Sequence, residues 1–266
     1  MASYANITVE ARGDIEIVSL NRPDVLNALS EDLVAELFDY VSALKHRSDV
    51  RVVLLRGNGR AFCAGLDIKE RRPPTNESAF QRSWRVQTQL ADVMKLMRVV
   101  PQPFIALGHG AACGGGFSLM LASDVRIGAP SLKMNAAYIK IGLGGADIGS
   151  SYFLPRLVGA SLATELLLTG RFLHADRALR LGLLSEIVEE DALLAAGLAL
   201  AEEMVANSPY GLALTKQALN LNIDASSIDA AIAIEDRQQV MLSVTDDFHE
   251  AMTAFVEKRP PVYRGR

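Results

Sequence analysis

Residues 103–122 read Pro103-Phe-Ile-Ala-Leu-Gly-His-Gly-Ala-Ala-Cys-Gly-Gly-Gly-Phe-Ser-Leu-Met-Leu-Ala122. The apolar run 104–107 predicts a buried strand, followed by a glycine-dense turn and an apolar helix from near Gly115. Three consecutive glycines at 114–116 are poor helix formers, so helix pattern does not account for them. They offer bare backbone at a helix N-terminus, where N–H groups lack intrahelical partners. Such donors, with the helix dipole behind them, suit an oxygen that becomes negative during a reaction. The competing reading is close packing of a helix against a strand.

Working outward, Val52-Val-Leu-Leu55 is a second continuously apolar strand, followed by Gly57-Asn-Gly-Arg60. Residues 61–70 are expected to turn from strand to helix. This repeats the central pattern weakly: buried strand, glycine turn, helix start. Two such turns on neighbouring strands would aim two backbone N–H groups at one point, the geometry that holds an oxyanion. Upstream, residues 7–10 and 15–20 alternate in period two around Arg12-Gly13-Asp14 and predict a hairpin. Residues 21–30 are a polar loop ending in Ser30, which can cap a helix with Leu33, Leu37, Tyr40, Val41 and Leu44 on its apolar face.

Downstream, Arg71-Arg-Pro-Pro-Thr-Asn76 reads as a mobile loop. A helix with Phe80, Trp84, Leu90, Met94 and Met97 along one side follows, and that stripe reads as core. Residues 124–128 predict a strand and residues 130–147 are irregular. Helical patterns then cover 148–158, 161–168, 192–206, 210–219 and 228–255, with one late strand over 185–188. Strand–helix alternation followed by helices is an α/β class. The expected division is a core over 1–200 that carries the active site and a helical region over 201–266.

The chain has 266 residues, 50% hydrophobic and 22% charged, which allows a large core. With 27 Lys and Arg against 31 Asp and Glu, the formal net charge is −4, which leaves no footprint for nucleic acid or an anionic membrane. Cys63 and Cys113 read as small buried residues in a reducing compartment. The four histidines lack metal-ligand spacing, so no metal is expected. No signal-peptide pattern opens the chain and no apolar run reaches membrane-spanning length, so a cytoplasmic protein is expected.

Four stretches in order carry a resemblance: Leu20-Asn-Arg-Pro-Asp-Val-Leu-Asn-Ala-Leu29, Arg60-Ala-Phe-Cys-Ala-Gly-Leu-Asp-Ile-Lys-Glu70, the glycine-rich run over 108–122, and Phe255-Val-Glu-Lys-Arg-Pro-Pro-Val-Tyr263. Together they resemble the enoyl-CoA hydratase/isomerase (crotonase) family. The resemblance implies a spiral of ββα units with a C-terminal helical region that builds trimers, often paired into hexamers. It also implies a coenzyme A thioester substrate, with no cofactor beyond the coenzyme A that the substrate carries. By motif, the oxyanion hole falls on the N–H groups of Leu66 and Gly115, the two turns already singled out. Residues 22–26, with Arg22 and Val25, and residues 64–68, with Ala64, Asp67 and Ile68, would line the coenzyme A channel. Lys258 would contact phosphate, from a neighbouring subunit, or be a solvated terminal lysine.

The sequence departs from the family where its hydratases carry two glutamates that grip a water. Those positions are Ser118 and Tyr138 here. A serine needs its own activator, and a tyrosine is a donor at neutral pH, so neither replaces a carboxylate base. A third acidic position belongs to the dienoyl-CoA isomerase branch, in a run that Ala146-Asp-Ile-Gly149 and Leu154-Pro155 resemble, with a preceding loop one residue longer. Asp147 is therefore the expected acid or base, and its competing role is to cap the next helix. Asp67 reads as a structural residue holding the oxyanion turn.

Other readings fare worse. For a dinucleotide fingerprint, Gly108-His-Gly-Ala-Ala-Cys113 has cysteine where the third glycine belongs. For a serine hydrolase, Gly116-Phe-Ser-Leu-Met120 lacks the closing glycine of a nucleophile elbow. The remaining alternative is a catalytically silent acyl-CoA-binding protein that keeps the oxyanion donors without the bases.

Overall fold

Successive turns of the chain each lay down a strand, a shorter strand or bridge, and a helix. The computed structural model describes residues 4–70 and 76–266, so the loop read over 71–76 lies, apart from Asn76, outside the described residues. The first unit is the expected hairpin, β1 (Ile7–Arg12) antiparallel to β2 (Ile15–Leu20), and then α1 (Glu31–Leu44). Ser30 Oγ accepts the Leu33 N–H at 3.2 Å, and the five apolar residues read onto one face of α1 are all buried.

The second unit is β3 (Val52–Gly57) and α2 (Ala79–Val99). Residues 61–70 do not pass from strand to helix. They run as irregular backbone pinned by single bridges, Cys63 to Ala112 and Leu66 to Leu29. The helix starts only at Ala79, where Ser78 and Gln81 cap each other reciprocally. The third unit is β4 (Phe104–Gly108), β5 (Ala111–Cys113) and α3 (Gly115–Ala122). The fourth is β6 (Val125–Gly128), β7 (Lys133–Asn135), a 3-10 turn over Ala137–Ile141, and α4 (Ser150–Val158). This is the ββα spiral that the resemblance implied.

α5 (Ala160–Thr169), β8 (Leu173–His174), α6 (Ala175–Arg180), β9 (Glu186–Ile187) and α7 (Leu193–Val205) follow. β1-β2-β3-β4-β6-β9 form a six-stranded sheet, parallel after the hairpin, and β5, β7 and β8 form a smaller one. The chain changes sheets at His109-Gly110. Gly110 has φ +55, and a β-carbon there would meet the Arg60 carbonyl oxygen at 2.2 Å, so only glycine turns this corner. Val53, Leu55, Phe104 and Ala106 point into the core under α1, α2 and α3, while Val52, Leu54, Ile105 and Leu107 pack beneath α7. Cover on both faces explains why these strands read as unbroken apolar runs. α3 is buried along its whole length, the position of a helix apolar all round.

One expectation about α2 fails in part. Leu90, Met94 and Met97 are core, but Phe80 is 73% and Trp84 63% exposed, stacked on each other with centroids 6.0 Å apart. The 21-residue helix is about 31 Å long, and its first turns run past the core surface that its second half covers.

α8 (Pro209–Asn222), α9 (Ile228–Ser243) and α10 (Asp246–Glu257) complete the chain. The single helix read over 228–255 is two, because Thr245 Oγ1 accepts the Phe248 N–H at 3.2 Å and starts a new one. The division placed near residue 200 falls inside α7. The helices beyond it are not loosely attached: buried Lys216 of α8 donates to the Met97 and Gln102 carbonyls at 2.6 and 2.7 Å and pairs with Asp124 at 2.9 Å. Among the described residues no helix is long and apolar enough to cross a membrane.

Candidate active site

The two glycine turns abut. Cys113 N–H donates to the Cys63 carbonyl and Cys63 N–H to the Ala111 carbonyl, each at 2.9 Å, so the second turn is stitched to β5. Gly65 has φ +93, and a β-carbon there would stand 2.7 Å from the Cys113 carbonyl oxygen. Gly114 has φ +50 and ψ −119, a conformation for glycine alone. A β-carbon on Gly116 would stand 2.3 Å from the Cys63 carbonyl oxygen. The close-packing reading of the triplet is therefore correct.

The flanking amides are committed: Ala64 N–H to the Leu26 carbonyl, Asp67 N–H to the Leu29 carbonyl, Gly114 N–H to the Asn135 carbonyl. Leu66 N–H and Gly115 N–H have no acceptor among the described residues. Both residues line one cavity of about 170 Å³. Backbone N–H groups without an intramolecular acceptor are free to donate to another group.

Asp147, Tyr138 and Gln87 line the same cavity. Asp147 does not cap α4, which starts at Ser150 after Gly149 in a left-handed conformation. Its Oδ1 instead accepts the Ile148 N–H at 2.8 Å and Gln87 Nε2–H at 2.5 Å, leaving Oδ2 without a partner among the described residues. Gln87 escaped the sequence reading; it sits on the exposed side of α2, sixty residues from the carboxylate it orients, and no local signal marks it. Tyr138, 5% exposed, lays its ring beside Gly114. Its hydroxyl hydrogen-bonds Ser118 Oγ at 3.0 Å. Burial pushes the phenol above its ordinary pKa, so it stays protonated. Ser118 is fully buried behind Tyr138 and is not part of the cavity wall.

The residues expected to line a coenzyme A channel separate into groups. Ala64 and Ile68 are on the cavity wall, and Val25 and Ile68 are exposed. Arg22 and Asp67 are turned to each other in an ion pair of 2.9 Å, and Arg22 Nη1 also donates to the Ala28 carbonyl. That pair ties residues 22–28 to the Leu66 turn, in line with a structural Asp67. Lys258 ends α10 in a left-handed conformation, and no hydrogen bond or ion pair joins it to the cavity among the described residues. Cys63 and Cys113 are both free thiols.

A family profile described as enoyl-CoA hydratase/isomerase matches residues 10–266. A Mycobacterium leprae protein named probable enoyl-CoA hydratase is 38% identical over 255 residues, covering 94% of this chain and 87% of its own. The 1,2-epoxyphenylacetyl-CoA isomerase of Escherichia coli is 30% identical, with 94% of each chain covered. The crystal structure of an enoyl-CoA hydratase from Bacillus anthracis matches with a TM-score of 0.92 at 32% identity, over 98% of this chain and 100% of that one.

Proposed function

The chain belongs to the enoyl-CoA hydratase/isomerase family, and from that premise we propose that it shifts double bonds in acyl-CoA thioesters, with Asp147 carrying the proton. The observation that carries this reading is the place of Asp147: one carboxylate, with one free oxygen, on the wall of the cavity that holds the two unengaged amides.

The thioester oxygen sits between Leu66 N–H and Gly115 N–H. Asp147 carboxylate takes a proton from the α-carbon of a 3-enoyl thioester, and the electron pair moves onto the thioester oxygen as an enolate. The two N–H groups stabilise that charge. The protonated Asp147 then gives its proton to the γ-carbon, the enolate collapses, and the double bond lies between the α- and β-carbons. Tyr138, held neutral, assists as a hydrogen-bond donor. Coenzyme A enters as part of the substrate along residues 22–26 and 64–68, and Lys258 meets a phosphate from a neighbouring subunit. The steps use only groups of this chain.

Hydration needs one group to activate water and a second to protonate the α-carbon. Neither Ser118 nor Tyr138 is a carboxylate, so simple 2-enoyl-CoA esters are poor substrates for hydration. α8, α9 and α10 expose Leu219, Ile228, Phe255 and Val256, apolar surface that suits burial in a homotrimer or a pair of trimers. Two free thiols suit a cytoplasmic enzyme.

The test is a panel of thioesters followed by product analysis. Conversion of a 3-enoyl-CoA to its 2-enoyl isomer, with crotonyl-CoA left nearly unhydrated, is expected. Vigorous crotonyl-CoA hydration would overturn the isomerase reading. Binding of every ester with turnover of none would make the protein a silent acyl-CoA binder.

A further inference from the structure

Ile148 stands between two cavities. On one side it lines the reaction cavity next to Asp147, and on the other it lines a larger cavity of about 460 Å³. The side chain is only 7% exposed, and its Cδ1 lies 3.6 Å from where a β-carbon on Gly115 would stand. It is thus packed against one of the two oxyanion amides while backing onto the second space.

The backbone holds it there under strain. Ile148 has φ +36, a left-handed conformation that a β-branched residue rarely adopts, and Gly149 follows at φ +91. The Ile148 N–H donates to Asp147 Oδ1 at 2.8 Å, so the bond that orients the carboxylate also fixes the wall. A strained residue persists only where its surroundings over-determine it, and such residues cluster at functional sites.

The larger cavity lies among α2, α3, α4 and α8, walled by Met94, Leu121, Tyr152, Phe153, Leu157 and Ile223. Of the four cations that line it, Arg98 pairs with Asp124 at 2.9 Å, Arg156 with Asp224 at 2.7 Å and Lys95 with Asp92 at 2.8 Å, while Arg126 donates to the Leu183 and Ser123 carbonyls. Apolar walls with satisfied charges suit an uncharged hydrocarbon group.

We propose that Ile148 is a specificity-determining residue: it limits the acyl group to the reaction cavity, and the space behind it takes the alkyl or aryl end of a longer acyl group only when that wall is shortened. This rests on the acyl-CoA reading of the site. Free coenzyme A, butanoyl-CoA and dodecanoyl-CoA are titrated calorimetrically into the full-length wild type, Ile148→Ala and Ile148→Gly. Saturated esters keep the readout independent of turnover. In both variants the dodecanoyl-to-butanoyl affinity ratio should rise by about 10-fold or more, since several methylenes gain an apolar site. Ile148→Gly accepts the left-handed φ without strain and carries the test if the alanine variant is unstable. An unchanged ratio in the folded variants, with the wild type binding butanoyl-CoA, overturns this role of Ile148 and leaves the acyl-CoA reading standing. A wild type that binds neither ester nor free coenzyme A overturns both.

Discussion

The Tyr138 hydroxyl and Ser118 Oγ lie 3.0 Å apart, both buried, at the two positions where the resemblance places the glutamates of the family's hydratases. A carboxylate pair there would grip a water. A neutral phenol bonded to a buried serine instead gives a fixed donor that does not ionise near neutrality. Burial is the main cause of the raised Tyr138 pKa, and the nearby Asp147 charge adds to it.

Tyr138→Phe keeps the ring beside Gly114 and removes the hydroxyl. Turnover of the best thioester should fall roughly 10-fold or more, the effect of losing an assisting donor rather than the base. Ser118 would lose its partner, at a cost of about 1–3 kcal/mol for a buried polar group left unpaired. Kinetics and urea unfolding read the two effects separately. An unchanged kcat would remove Tyr138 from the mechanism.

Asp147→Asn retains an oxygen for the Ile148 N–H and loses the titratable group. Turnover should drop by roughly 10²–10⁴, with coenzyme A ester binding and the melting temperature nearly unchanged. A variant as active as the wild type would assign the proton transfer elsewhere.

Gly115→Val would place a β-carbon 2.5 Å from Leu29 Cδ1 and push the first turn of α3 out of line. Loss of one oxyanion donor costs roughly 10²–10³ in kcat. The expected pattern is a fall in kcat larger than any rise in KM. The reverse pattern would mean that Gly115 serves binding only.

Alkaline pH should destabilise the fold. Burial pushes the Cys63 thiol from 9.0 up to about 12, and burial with the Glu16 charge raises Tyr40 well above 10.0. The folded chain therefore keeps protons that the unfolded chain releases. This stability is fully present below the unfolded pKa values and is lost as pH rises past them, about 1.4 kcal/mol per pH unit for each group until its folded pKa is reached. Urea midpoints should hold steady up to about pH 8.5 and fall from about pH 9. A flat profile to about pH 10.5 would mean that these groups are not shielded in the native state.

Some of this was written locally. Ser30 and the spacing of Leu33, Leu37, Tyr40, Val41 and Leu44 specify α1 without help, because a cap and a 3.6-residue period involve only near neighbours. Phe80 and Trp84 continue the same stripe as Leu90, Met94 and Met97, yet they are exposed. Periodicity reports which side of a helix is apolar, and says nothing of where the surface beneath it ends. The break at Thr245 was missed because two adjoining helices share a nearly continuous pattern.

By itself, the sequence determined the apolar strands, the glycine turns and the order of the ββα units, since each follows from adjacent residues and hard-sphere limits on the backbone. Only the tertiary structure decided that Asp147 is an oriented carboxylate rather than a helix cap. Its partner Gln87 lies on another helix, and the left-handed Ile148 and Gly149 delay α4 by the residues that a cap would have needed. The same holds for the meeting of Leu66 and Gly115 at one cavity. Turns some fifty residues apart meet only when β3 and β4 pair side by side, and that pairing belongs to the packed sheet, not to either segment.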